Sequence, residues 1–135
     1  MATPISADRF YHDGRGPSLH RVHWSREGHY LLAIDYSNHD DGFDQKHVKF
    51  VRPQVVMITP EEVINYGDGD LTGLLVRYRP AAMFDRGRSP WLESFSPRHL
   101  SQCRHFQLFF YDELFDVICE GVECVLGRYP GEGTG

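Results

Sequence analysis

The stretch Arg104-His-Phe-Gln-Leu-Phe-Phe-Tyr-Asp-Glu-Leu-Phe-Asp-Val-Ile-Cys-Glu120 decides how this 135-residue chain should be read. Apolar and aromatic residues fill both halves, and the polar pair Asp112-Glu113 separates them. This pattern predicts an antiparallel hairpin, Arg104–Tyr111 against Leu114–Glu120, turning near Asp112-Glu113. That turn sets Phe110 opposite Phe115, Leu108 opposite Val117 and Phe106 opposite Cys119. Aromatic and β-branched pairs across an antiparallel ladder contribute roughly 0.2–1 kcal/mol each.

Working outward, Leu19–Arg26 and His29–Ser37 form a second hairpin about Glu27-Gly28. A two-residue turn would pair Val22 with Ala33 and Trp24 with Leu31. A three-residue loop with Gly28 left-handed pairs Trp24 with Tyr30 and Val22 with Leu32. The second choice gathers Val22, Trp24, Tyr30, Leu32 and Ile34 on one face. Because a one-residue slip exchanges the faces, the bulged turn is the expected one.

His47–Arg52 alternates as a strand. Gln54–Thr59 is a continuous apolar run, expected to be covered on both faces, with Pro53 marking a break or an edge. Thr59-Pro60-Glu61-Glu62 reads as a capping box opening a short helix to Tyr66. Leu71–Arg79 and Val122–Gly127 complete the strands. The expected architecture is mainly β: an antiparallel two-layer sandwich or partly open barrel of about eight strands. One or two short helices and a long loop at 80–102 accompany it. Residues 1–17 read as an N-terminal arm, 18–128 as a single β-rich domain and 129–135 as a flexible tail.

Composition limits the function classes. The net charge of −5 disfavours non-specific nucleic-acid binding. No apolar run approaches the ~20 residues a membrane-spanning helix needs. Three cysteines with no CxxC spacing and no signal-like N-terminus point to free thiols in the cytoplasm. Charge is segregated: between Arg77 and Arg104 lie six arginines and two acids, whereas Asp112–Glu123 holds acids and no base.

No stretch carries a recognised catalytic motif. His23 and His29 share a face in the bulged register but lack a third ligand, so no metal and no cofactor are expected. The acids from Asp35 to Asp44 do not fit a calcium loop. Cys103, beside Arg104 and His105, lacks an orienting partner and reads as structural. Asp112, Glu113 and Asp116 read as solvated charge at a hairpin tip. No serine lies in a GxSxG elbow.

The surplus feature is the segment 80–102, where Ser89-Pro90 and Ser96-Pro97 suggest short helical turns. It combines Phe84, Arg86, Arg88, Trp91 and Arg98, residue types enriched at protein interfaces. These five are the expected partner-binding residues of a small interaction module that contacts another protein or itself. The alternative is a small-molecule binder or hydrolytic enzyme with His and Asp side chains converging at the mouth of a half-open barrel. A deep cavity in which two or more of His20, His23, His29 and His105 converge with an aspartate within hydrogen-bond or metal distance would favour it.

Overall fold

The computed structural model describes residues 2–5, 19–25, 30–35, 46–64, 70–79 and 81–126; at 20, 21, 30–35, 46, 70, 72, 97, 125 and 126 it describes the backbone alone. The described strands are β1 (Thr3–Ile5), β2 (Leu19–Ser25), β3 (Tyr30–Asp35), β4 (Lys46–Val51), β5 (Val55–Pro60), β6 (Met83–Gly87), β7 (Arg104–Phe109), β8 (Glu113–Cys119) and β9 (Gly121–Leu126). Two helices join them, α1 (Asp70–Arg77) and α2 (Pro90–Glu93). The strands form two antiparallel sheets, ordered β1-β6-β7-β8-β5 and β2-β3-β4-β9, and neither closes into a barrel. No described helix is long and apolar enough to cross a membrane.

A bent ribbon links the sheets. β4 runs on into β5, and β8 runs on into β9, so that β4 pairs with β9 in one sheet and β5 with β8 in the other. The corner lies at Arg52, in the left-handed region at φ 51°, with Pro53 following. Glu120 N–H donates to Val51 O across the bend. Strands that change sheets commonly do so at such bends. Between the sheets sit Val48 and Phe50 of β4, Met83 of β6, Phe106 and Leu108 of β7, and Phe115, Val117 and Cys119 of β8.

Several expectations change. The β2–β3 ladder takes the register rejected above, with Val22 opposite Ala33, Trp24 opposite Leu31 and Ser25 opposite Tyr30. The other neighbour of β3 explains it: β4 sets Phe50 opposite Leu31 and Val48 opposite Ala33, and both β4 side chains are fully buried. The β7–β8 register moves by two, to Phe106 opposite Val117 and Leu108 opposite Phe115. Phe110 N–H donates to Glu113 O, which tightens the turn around Tyr111-Asp112.

Leu71–Arg79, read as a strand, is mostly α1. Leu71, Leu74, Leu75 and Tyr78 repeat at helical spacing and pack on Phe84, Phe109 and Leu114 on the outer face of the five-stranded sheet. The expected helix after β5 shrinks to the 3-10 turn Glu61–Val63, because β5 extends to Pro60 and Thr59 does not cap. Residues 80–102 are no plain loop: they contribute β6, α2 and the 3-10 turn Pro97–His99. Part of the presumed arm, Thr3–Ile5, pairs with β6 as an edge strand. Val55–Pro60 is likewise an edge strand, with Met57 and Ile58 exposed rather than covered.

Candidate functional site

Alternation along β7 and β8 points Phe106, Leu108, Phe115 and Val117 inward, between the sheets. It therefore sends His105, Gln107, Asp116 and Ile118 to the outer face. There the chain from Gly87 to Cys103 folds over them. Leu92, Leu100 and Cys103 pack against Ile118, with Val55, Trp91 and Phe95 at the margin. A polar relay is sealed beneath this cover.

Asp116 is its sink. His105 Nε2 stands 2.6 Å from Asp116 Oδ1, and Gln107 Nε2 donates to the same oxygen at 2.9 Å. Arg86 donates to Gln107 Oε1 at 3.0 Å. On the far side of the imidazole, Nδ1 lies 2.7 Å from Ser89 Oγ, which also accepts the Leu92 N–H at 3.2 Å as the N-cap of α2. With His105 neutral, one assignment satisfies every link: Leu92 donates to Ser89, Ser89 O–H to Nδ1, and Nε2–H to Asp116. Ser89, His105, Gln107 and Asp116 are all buried, and buried polar groups are retained when so paired.

Local sequence builds this arrangement. The β6–β7 register slips between Asp85 and Gly87, making a bulge at Arg86, and Gly87 takes φ 62°, a conformation that suits glycine. Asp85 Oδ1 accepts the Gly87 N–H at 2.7 Å and Arg104 Nε at 3.0 Å. The bulge redirects the chain onto the outer face. Ser89-Pro90 then starts α2, with a capping oxygen and a proline in its first turn. Arg88 clamps both ends of the insert, donating to Leu100 O at 2.6 Å, Cys103 O at 3.1 Å and Glu93 Oε1 at 3.0 Å.

The five expected partner-binding residues are placed unequally. Phe84 is fully buried, packed against Tyr78 and Phe109. Arg86 and Arg88 make the intramolecular bonds just described. Trp91 is half-buried, its ring 4.8 Å from that of His105 and 5.7 Å from that of Phe95. Arg98 is exposed, as is His99 beside it.

Sequence reasoning missed the relay because it took Asp116 for a solvated hairpin-tip acid. Its alternation with Phe115 and Val117 could have placed it on a sheet face with His105. His23 is half-buried in β2, and His29 lies outside the described residues. Among the described residues, no three His, Cys, Asp or Glu side chains stand together as metal ligands.

Cys103 and Cys119 are free thiols. Burial pushes the Cys119 thiol up to about 12. Burial, with the Glu120 charge adding to it, also raises Cys103. Both are held as thiols rather than as reactive thiolates.

The serine, histidine and aspartate form the donor–acceptor sequence that serine hydrolases use, with the ring nitrogens exchanged: here Nδ1 meets the serine and Nε2 the aspartate. A nucleophile also needs open approach to Oγ. Ser89 Oγ sits under α2, engaged by Leu92 N–H, with Trp91 against the imidazole. As folded, the relay orients the insert. No family model, curated protein or solved structure matches the chain.

Proposed function

We propose that the protein is a binding module that contacts a protein partner through the outward side of the insert at Trp91–His99, working by stoichiometric contact rather than turnover. The supporting observation is that the relay's hydrogen-bonding groups are engaged in holding the insert in place. Recognition loops are effective when a rigid scaffold fixes them. Facing solvent above those pins are Glu93, Ser94, Ser96, Arg98 and His99, with the exposed edge of Trp91; Glu93 is paired with Arg88, which leaves Arg98 and His99 to meet an acidic partner surface. Free cysteines suit a reducing compartment such as the cytoplasm.

A photo-crosslinking residue at exposed position 96, expressed in the native cell, is expected to capture one discrete partner. The same residue at exposed Glu123 should not, and Arg98→Glu with His99→Glu should prevent partner capture while the fold is retained. Equal adducts from positions 96 and 123 would overturn the reading. A second reading, serine hydrolysis, is favoured specifically by the Ser89–His105–Asp116 chain. A fluorophosphonate probe separates the two: labelling of the wild type that is lost in Ser89→Ala would favour hydrolysis, and no labelling favours binding.

A further inference from the structure

β5 combines three properties rarely left exposed together. Among the described residues it has a strand on one side only. Its side chains Met57 and Ile58 are 44% and 45% exposed on opposite faces. Its flanks carry opposite charge, with Arg52 before it and Glu61 and Glu62 after it, all exposed. Natural edge strands are usually guarded by lysines, bulges or prolines, because an apolar open edge recruits another strand. Here the prolines stand at the two ends, Pro53 just before the strand and Pro60 at its last residue, and the middle is unguarded.

The ladder fixes which peptide groups are open. Glu61 N–H donates to Asp112 O, one step beyond the Pro60–Glu113 pair. Directly bonded pairs alternate with pairs whose peptide groups point away. Met57 and Thr59 therefore bond toward β8, and Val56 and Ile58 turn their N–H and C=O outward.

We propose that β5 is the seam of a homodimer, in which a second copy adds its own β5 antiparallel across a two-fold axis. Val56 then bonds the partner's Ile58, Ile58 bonds the partner's Val56, and Met57 meets the partner's Met57 on the axis. Antiparallel pairing also brings the Arg52 end of each β5 toward the Glu61–Glu62 end of the other. A slip of two residues toward Pro60 loses a bond, because proline has no N–H. The surface is thus complementary to itself, as a two-fold interface requires. Glu120 stands 3.8 Å from Arg52, but Arg52 remains 62% exposed, so that surface pair contributes little and leaves the guanidinium able to share a second carboxylate. Glu62 also belongs to a crowded acidic corner with Asp112 and Glu113, which gains from an incoming cation. The seam does not use the insert, and each proposal stands or falls alone.

Sedimentation velocity on the full chain is expected to show reversible monomer–dimer exchange. Met57→Lys with Ile58→Lys should leave monomer. Glu62→Arg should weaken association by about tenfold or more, and adding Arg52→Glu to it should restore most of the loss. Val76→Lys, on the exposed side of α1, should change nothing. Met57→Cys should cross-link two chains on mild oxidation, since its Cα is expected about 4.5 Å from its symmetry mate, whereas Thr59→Cys should not. Circular dichroism checks the fold of each variant. If the double lysine variant fails to fold, the cysteine pair decides the register alone. A wild type still monomeric at about 1 mM, a dimer unaffected by the two lysines, or cross-linking through Thr59→Cys instead of Met57→Cys would each overturn the seam.

Discussion

On the outer face of the five-stranded sheet, α1 and the insert around α2 hold on by different physics. Under α1, Leu74 and its helical neighbours meet Phe84, Phe109 and Leu114, an adhesion that is strong but indifferent to direction. Under the insert, an apolar margin of Leu92, Leu100 and Ile118 surrounds the relay of Ser89, His105 and Asp116. The margin supplies adhesion, and the relay accepts one placement only. A sheet face built this way carries a cover defined by volume beside a cover defined by matched donors and acceptors. The second kind suits a surface that must be presented in a fixed orientation.

The largest test of that contrast lies on the apolar side. Phe109 is fully buried with its ring edge-on to Phe84 at 5.9 Å. Phe109→Ala is expected to cost about 3–5 kcal/mol, from lost transfer energy and the cavity left behind. Urea unfolding should read it, with hydrogen exchange accelerating first in α1. On the polar side, Asp116→Ala removes the acceptor shared by His105 and Gln107, at about 1–3 kcal/mol for each orphaned donor. Ser89→Ala removes a cap and one end of the relay, at about 1–2 kcal/mol. The double variant should cost less than the sum, because the residues act in one network. Exchange should then accelerate in α2 and not in α1. Additive losses, or exchange that rises equally under both helices, would dissolve the distinction between the covers.

The two hairpins show what the sequence could tell. For β7–β8 the expected pairing was two residues out, and an even slip keeps every side chain on its face. Phe110 and Phe115 still meet, rings 5.3 Å apart. For β2–β3 the expected register was one residue out, and an odd slip exchanges the faces. Taken alone, the two strands favour the register that gathers Val22, Trp24, Tyr30, Leu32 and Ile34 on one face, and that preference was overridden. The buried Val48 and Phe50 on β4, a strand further along the chain, made the choice. The β class followed from local alternation, which left a two-layer sandwich and a partly open barrel as alternatives. The relay did not, because it needs β7, β8 and the returning insert at once. Ser89-Pro90 was legible as a helix start, yet nothing local says that its oxygen caps α2 and meets His105 together. The stripe at Leu71, Leu74, Leu75 and Tyr78 was legible and misread, because Leu71–Arg79 also suits a strand by composition.

The smallest expected effect concerns the corner where the polar hairpin tip meets the end of β5. Burial raises the Glu113 pKa above its ordinary value, and the neighbouring charges of Asp112 and Glu62 raise it further. A carboxyl whose pKa is higher folded than unfolded favours the native state while protonated. That contribution is complete below the unfolded-state pKa and disappears as pH rises through the folded one. At neutral pH, ionised Glu113 therefore works against the fold. Glu113→Gln removes the charge while keeping the shape, and it should raise the melting temperature at pH 7. The gain should vanish toward pH 4, where the wild-type carboxyl takes up its proton. The measurement belongs in dilute protein, where association through β5 does not add to stability. A gain at pH 7 that persists unchanged at pH 4 would mean that the substitution acts through packing. In that case the acidic corner is a passive tip rather than a site of charge crowding.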